Sequence, residues 1–212
     1  MIRFSQIDAG NRWAHTMLTA DDLCYYLYEY TPGRGHESSC TNMLIRNLKK
    51  KPSQSDKPGY RFKDRAIERC AEHLREALDP QWAKQATFIP VPGSKAASHP
   101  DHDDRIERIC RNIASDLDVR PLVTQRFSTN AAHESGKGGR VTVEKLVRMY
   151  EIDETQADPE PRAFAIVDDV LTSGTHYRAV QTKLVTRWPG VPIIGLFIAR
   201  RIFAPGKGRN QT

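Results

Sequence analysis

The stretch Phe164-Ala165-Ile166-Val167-Asp168-Asp169-Val170-Leu171-Thr172-Ser173-Gly174-Thr175-His176 limits the possible folds more than any other part of the chain. Phe164 to Val167 is short, continuous and apolar, the pattern of a parallel strand buried on both faces. Beyond it, Tyr177, Val180, Leu184 and Trp188 recur at helical spacing. Two adjacent carboxylates therefore stand at the C-terminal end of a strand, and a Thr/Ser/Gly turn opens a helix. Ligands of open α/β sheets bind at that edge.

The same spacing sets the chemistry. Successive strand residues face opposite sides, so Asp168 and Asp169 have different roles. One can accept hydrogen bonds from a diol while the other orients the loop or faces a metal or the reacting centre. The turn offers backbone N–H groups, the hydroxyls of Thr172, Ser173 and Thr175, and the positive end of a helix dipole, which together suit a phosphate. Gly174 lets the backbone approach that phosphate. A diol beside a phosphate describes a ribose 5-phosphate. Phosphoreceiver domains also end a strand in paired acids, but there the pair closes the first strand, whereas here it lies late in the sequence.

This stretch resembles the phosphoribosyl-diphosphate (PRPP) motif of type I phosphoribosyltransferases: four apolar residues, two acids, two apolar residues and a Thr- and Gly-containing loop. The resemblance implies that Asp168 and Asp169 hold the ribose hydroxyls and a Mg²⁺ ion, and that Leu171, Thr172, Ser173, Gly174, Thr175 and His176 bind the 5-phosphate. His176 departs from the small residue of many members, and either adds a cation near the phosphate or points to solvent.

A second short apolar run, Ala86 to Val91, closes in the turn Pro92-Gly93-Ser94-Lys95. Type I enzymes grip pyrophosphate with a loop in this place, which implies that role for Gly93, Ser94 and Lys95. The Ile-Pro-Val-Pro opening is similar to ComF-like members, whose zinc ribbon has no cysteine counterpart here. Arg105 and Arg108, at the start of the next helix, are further candidates for the pyrophosphate. The long polar segment Gln125 to Gly139 stands where family members have a mobile loop that brings basic groups to the leaving pyrophosphate. Its candidates are Arg126, His133, Lys137 and, just beyond it, Arg140. By resemblance the catalytic set is Asp168, Asp169, Lys95, Lys137 and Arg140.

Elsewhere, Asp22 to Tyr30 reads as a strand. Ser39 or Thr41 caps a helix with Cys40, Met43, Leu44 and Leu48 on its apolar face. Lys49-Lys50-Lys51 ends that helix and reads as a solvated terminus, with phosphate binding as the alternative. Lys51 to Gly59 reads as a mobile loop, and a helix spans about Phe62 to Leu78. His99 to Asp104 looks like a ligand set but precedes a helix, so capping is the better reading. Arg120 to Thr124 reads as a second core strand, a short helix ends near Tyr150, an acidic linker follows (Asp153 to Pro161), and Val191 to Ala199 forms a last strand. Phe203, in the basic tail, is a candidate for stacking on a base. Cys40, Cys70 and Cys110 fall on apolar helix faces, and all four cysteines read as reduced core thiols.

The expected fold class is therefore α/β, an open parallel sheet flanked by helices. Residues 1–60 would form an N-terminal extension or hood and residues 61–212 a phosphoribosyltransferase-like domain, within one compact unit. The formal charge of +6 and pI near 9.2 suit polyanionic partners, small or large. No apolar leader or membrane-length run is visible, so a cytoplasmic location is expected. The resemblance implies an enzyme that transfers ribose 5-phosphate from PRPP to a nitrogen acceptor, with Mg²⁺ as cofactor, and a homodimer is a plausible assembly. The rival is a non-catalytic sensor of PRPP or a nucleotide, in which the basic tail and lysine run would touch nucleic acid.

Overall fold

The computed structural model describes residues 1–33, 39–127 and 141–203. Its centre is a six-stranded sheet of β1 (Ser5–Gln6), β2 (Leu23–Tyr30), β3 (Thr87–Pro90), β4 (Asp118–Val119), β7 (Phe164–Leu171) and β8 (Ile193–Arg201), in the order β1-β2-β8-β7-β3-β4. All neighbours are parallel except β1, which runs antiparallel to β2. A separate antiparallel pair is made by β5 (Val123–Gln125) and β6 (Tyr150–Ile152). The fold is thus α/β, a multi-strand sheet flanked by helices.

Two cores cover the sheet. On one face lie α1 (Cys40–Leu48), α2 (Phe62–Ala77), the short α3 (Pro80–Ala83) and α4 (Arg105–Ile113), packed on Ala165 and Val167 of β7. On the other lie α5 (Val143–Met149) and α6 (Thr175–Arg187), packed on Phe164 and Ile166. The alternation of β7 residues between the two cores is the period-2 geometry of a strand. Covering on both faces explains why β7 reads as an unbroken apolar run.

Several boundaries differ from the sequence reading. The segment taken as an extension or hood is built into the sheet, since β2 pairs along its length with β8. The expected second core strand, Arg120 to Thr124, is misplaced: the strand that pairs with β3 is Asp118–Val119, just before it, and after Pro121 the chain leaves the sheet, so that the end of the expected strand falls in β5. β4 is the edge strand, and the Arg120 amide still bonds the Phe88 carbonyl at 3.0 Å. The Leu122 amide then turns back onto the Arg120 carbonyl at 2.8 Å, a tight turn centred on Pro121, whose fixed φ suits it, and the ladder ends there. The expected loop after Lys51 contains two 3₁₀ turns, Pro52–Gln54 and Pro58–Arg61.

Ser39 caps α1, its hydroxyl accepting from the Asn42 amide at 3.0 Å. The buried face of α1 is Asn42, Ile45 and Leu48; of the expected residues Leu48 is buried and Leu44 packs partly on the core, whereas Cys40 and Met43 are exposed. The Asn42 side chain is buried because it pairs with both backbone groups of Thr31, at the end of β2. Cys24, Cys70 and Cys110 are buried free thiols, and burial pushes those of Cys24 and Cys70 up to about 12. Among the described residues, no helix is long and apolar enough to cross a membrane.

Candidate functional site

Because β2, β8, β7, β3 and β4 are parallel, their C-terminal ends share one edge of the sheet. The Pro92–Lys95 turn leaves β3 beside the acid pair, since Pro90 is in register with Val167 and the Val91 amide bonds the Val167 carbonyl at 2.9 Å. The two expected anion loops are therefore neighbours.

The acids have separate environments. Asp169 is buried and fully engaged: Oδ1 lies 2.9 Å from Lys49 Nζ, and Oδ2 accepts from Arg105 Nε at 3.0 Å and Nη2 at 2.6 Å. Burial alone would raise its pKa, but Lys49 and Arg105 outweigh burial and hold the carboxyl well below the usual range. Asp168 has one oxygen on the Asp169 amide, at 2.7 Å, and its other oxygen has no protein partner among the described residues. Burial, with the Asp169 charge next to it, pushes the Asp168 pKa up. Carboxylates with diverging pKa values are a mark of functional sites, though ion-pair networks produce them too.

Asp169 belongs to a chain of alternating charges. Arg105 also pairs with Asp103 at 2.8 Å, and Asp103 accepts from Lys63 at 2.8 Å. The series Lys49–Asp169–Arg105–Asp103–Lys63 joins α1, β7, α4 and α2 at the sheet edge. Lys49 thus reaches the acid pair from a half-exposed helix end. His99 to Asp104 mixes two roles. Asp103 accepts from the Arg105 amide at 3.2 Å, while Asp104, at the N-cap position, makes no capping bond. Arg108 is held by Asp64.

The motif turn is braced from below by the N-terminal segment. His15, fully buried, donates from Nδ1 to the Thr172 carbonyl at 2.5 Å, and the Met17 amide donates to the Ser173 carbonyl at 2.8 Å. Arg178 of α6 returns two bonds to the Met17 carbonyl and pairs with buried Asp22. With these carbonyls held on the underside, the turn's amides and the first-turn N–H groups of α6, which have no intrahelical acceptor, are left for an anion. Burial lowers the His15 pKa, so the ring is neutral at pH 7.

Gly174 caps α6 at φ +88°, and a Cβ there would meet Leu18 side-chain carbons at 3.1 and 3.3 Å. The close approach that demands glycine is thus to Leu18. Gly174→Ala is expected to cost about 1–2 kcal/mol from the left-handed backbone alone, read as a lower urea midpoint. Leu18→Ala in the same chain should recover only the steric remainder.

His176 is not a cation near the turn. Its Nδ1 lies 2.9 Å from the buried Tyr150 hydroxyl, and burial lowers its pKa. Lys95 lines a different feature, a pocket of about 210 Å³ between the β3 turn, the start of α4 and β5, lined by neither Asp168 nor Asp169. Gly93 and Ser94 lie in the same turn: Gly93 faces the Asp103 carbonyl, and the Ser94 carbonyl accepts from Gln125. Arg126 pairs with Glu151. His133, Lys137 and Arg140 lie outside the described residues. Phe203 stacks on Trp13, with ring centroids 5.9 Å apart and planes at 21°.

No protein-family model and no curated protein matches the chain. The reading therefore rests on the edge itself. Among the described residues no three His, Cys, Asp or Glu side chains cluster as a metal cage. Asp169, carrying two cations, does not fit as a metal ligand in this arrangement; only Asp168 has an unclaimed oxygen. Sequence reasoning missed Lys49, Asp103, Lys63 and His15. A lysine run ending a helix is the usual look of a solvated terminus, and a lone histidine carries no positional signal.

Proposed function

We propose that the chain is a phosphoribosyltransferase, moving ribose 5-phosphate from PRPP to a nitrogen acceptor with release of pyrophosphate. The observation that carries this reading is the β7–α6 junction: an acid with an unclaimed oxygen, followed by a turn whose carbonyls are tied down and whose amides open a helix. In this reading Asp168 accepts from a ribose hydroxyl, and Thr172 to Thr175 cradle the 5-phosphate. Asp169 acts through its partners, keeping Lys49 and Arg105 beside the reacting centre, where negative charge grows on the leaving diphosphate. A Mg²⁺ ion would supply charge neutralisation at the diphosphate, and the unclaimed oxygen of Asp168 is the group on this edge that could help to hold it. Lys95, Lys137 and Arg140 remain candidates for the same charge.

The test is calorimetric titration of PRPP with and without Mg²⁺, followed by assay of pyrophosphate release over a panel of nucleobases. Release with one base supports the enzyme and identifies its acceptor. Asp168→Asn is expected to weaken PRPP binding at least about tenfold, because a charged acceptor becomes half donor; unchanged affinity would sink the ribose assignment. One observation favours the sensor as a second reading: both oxygens of Asp169 are already occupied. PRPP binding without release for any base would select it.

A further inference from the structure

The positive charge of the chain is concentrated in one place. Residues 46–69 hold nine Lys and Arg against three Asp and Glu, a net +6 that equals the formal charge of the whole protein. The remainder is therefore neutral. The segment runs from the last turn of α1, through the two 3₁₀ turns, to the first half of α2. Lys63 is buried in the network above, but Lys51, Lys57, Arg61, Arg65 and Arg69 are exposed and have no carboxylate partner among the described residues.

The patch is ordered in two ways. Arg61, Arg65 and Arg69 recur every fourth residue, a stripe with about 6 Å between steps along the helix axis. Within it Phe62 is 38% exposed and is surrounded by cations, with Lys50 Nζ at 5.1 Å, Arg61 at 5.2 Å and Arg65 at 5.7 Å from the ring centre. A partly exposed aromatic ring among cations is what a single-stranded nucleic acid uses: charges track the backbone, and a base displaces a cation to stack on the ring. An anionic membrane would call for a wider apolar face beside the cations, and Phe62 is the one large apolar side chain exposed between residues 46 and 69.

We infer that this surface binds single-stranded nucleic acid, a property independent of the ribose-phosphate reading. The contacts are to phosphates and to one stacked base, so affinity is salt-dependent and tolerant of sequence. Lys49 lies in the same segment and holds Asp169, so the surface adjoins the candidate site.

Fluorescence anisotropy of labelled oligo(dT), oligo(U) and a duplex, titrated with the full chain over a range of KCl, tests the assignment. With about five phosphates neutralised, log affinity should fall against log salt with a slope near about −3.5. Replacing Arg61, Arg65 and Arg69 together by Gln should reduce that slope by about 2. Phe62→Ala should weaken single-strand binding about tenfold and leave duplex binding nearly unchanged. Removing three exposed cations elsewhere (Lys84, Lys145 and Arg148 to Gln) should change affinity less than about twofold if the patch, not net charge, is responsible. Equal losses for the two triple variants, a wild-type slope in the arginine variant, or no effect of Phe62→Ala would overturn the proposal. So would binding to phosphatidylserine vesicles without binding to the oligonucleotides.

Discussion

Replacing Asp169 with alanine is expected to lower the unfolding free energy by about 3–5 kcal/mol, the usual loss when one partner of a buried ion pair is removed. The loss falls mainly on Arg105, which would keep only Asp103, because Lys49 is 45% exposed and can turn to water. Removing both sides should be gentler: Asp169→Ala with Arg105→Met should lose less than the sum of the single changes. The pH dependence has a definite sign. The Asp169 pKa is depressed in the folded state, so its contribution is complete above the unfolded carboxylate value of about 3.9 and vanishes as pH falls through the folded value. Asp168 moves the other way: the Asp169 charge helps to hold its pKa up, so its protonation adds stability to the wild type as pH falls from neutral, and less of that gain is open to the variant. Urea denaturation should therefore show a gap that widens modestly from neutral pH to about 5 and narrows only in stronger acid. A gap that does not narrow below the unfolded carboxylate value of about 3.9 would mean that Asp169 is not the ionised member of the pair.

The pair also shows what a sequence can and cannot reveal. The β7–α6 unit was readable because its signals are local: a continuous apolar run, a turn with glycine, and helical spacing from Tyr177 to Trp188. The Thr172–Thr175 turn is likewise one short segment. What was hidden comes from elsewhere in the chain. Lys49 reaches Asp169 across 120 residues of sequence, and His15 reaches Thr172 across 157. No periodicity records such contacts. On α1, composition misled in the ordinary way. Cys40 and Met43 suggested an apolar face, whereas the end of β2 presents the Thr31 backbone, and Asn42 satisfies it better than any hydrocarbon could. The division between β4 and β5 was marked by Pro121, whose meaning depended on knowing that β3 would be its neighbour.

Lys63→Met should be comparably damaging, by about 3–5 kcal/mol, for a related reason. Lys63 is 1% exposed, and its ammonium gives hydrogen bonds of 2.8 Å to the Leu48 carbonyl, the Lys50 carbonyl and Asp103. Burial draws its pKa down and Asp103 opposes that fall, so the ion is kept charged by its partners. Methionine has nearly the same shape and no donor. It would leave two carbonyls at the end of α1 without their donor and Asp103 with Arg105 alone, with water largely excluded. The carbonyls belong to the residues flanking Lys49, so Lys63 also sets where Lys49 enters the site. Two measurements separate these effects. Lys49→Gln, at a half-exposed position, should leave the urea midpoint nearly unchanged while weakening PRPP binding. Lys63→Met should lower both the midpoint and, in the fraction that remains folded, the affinity. If Lys63→Met destabilises the fold yet binds PRPP as wild type does, the clamp on α1 holds the structure together without positioning Lys49; unchanged PRPP binding by Lys49→Gln is the result that removes the role given to Lys49 at the diphosphate.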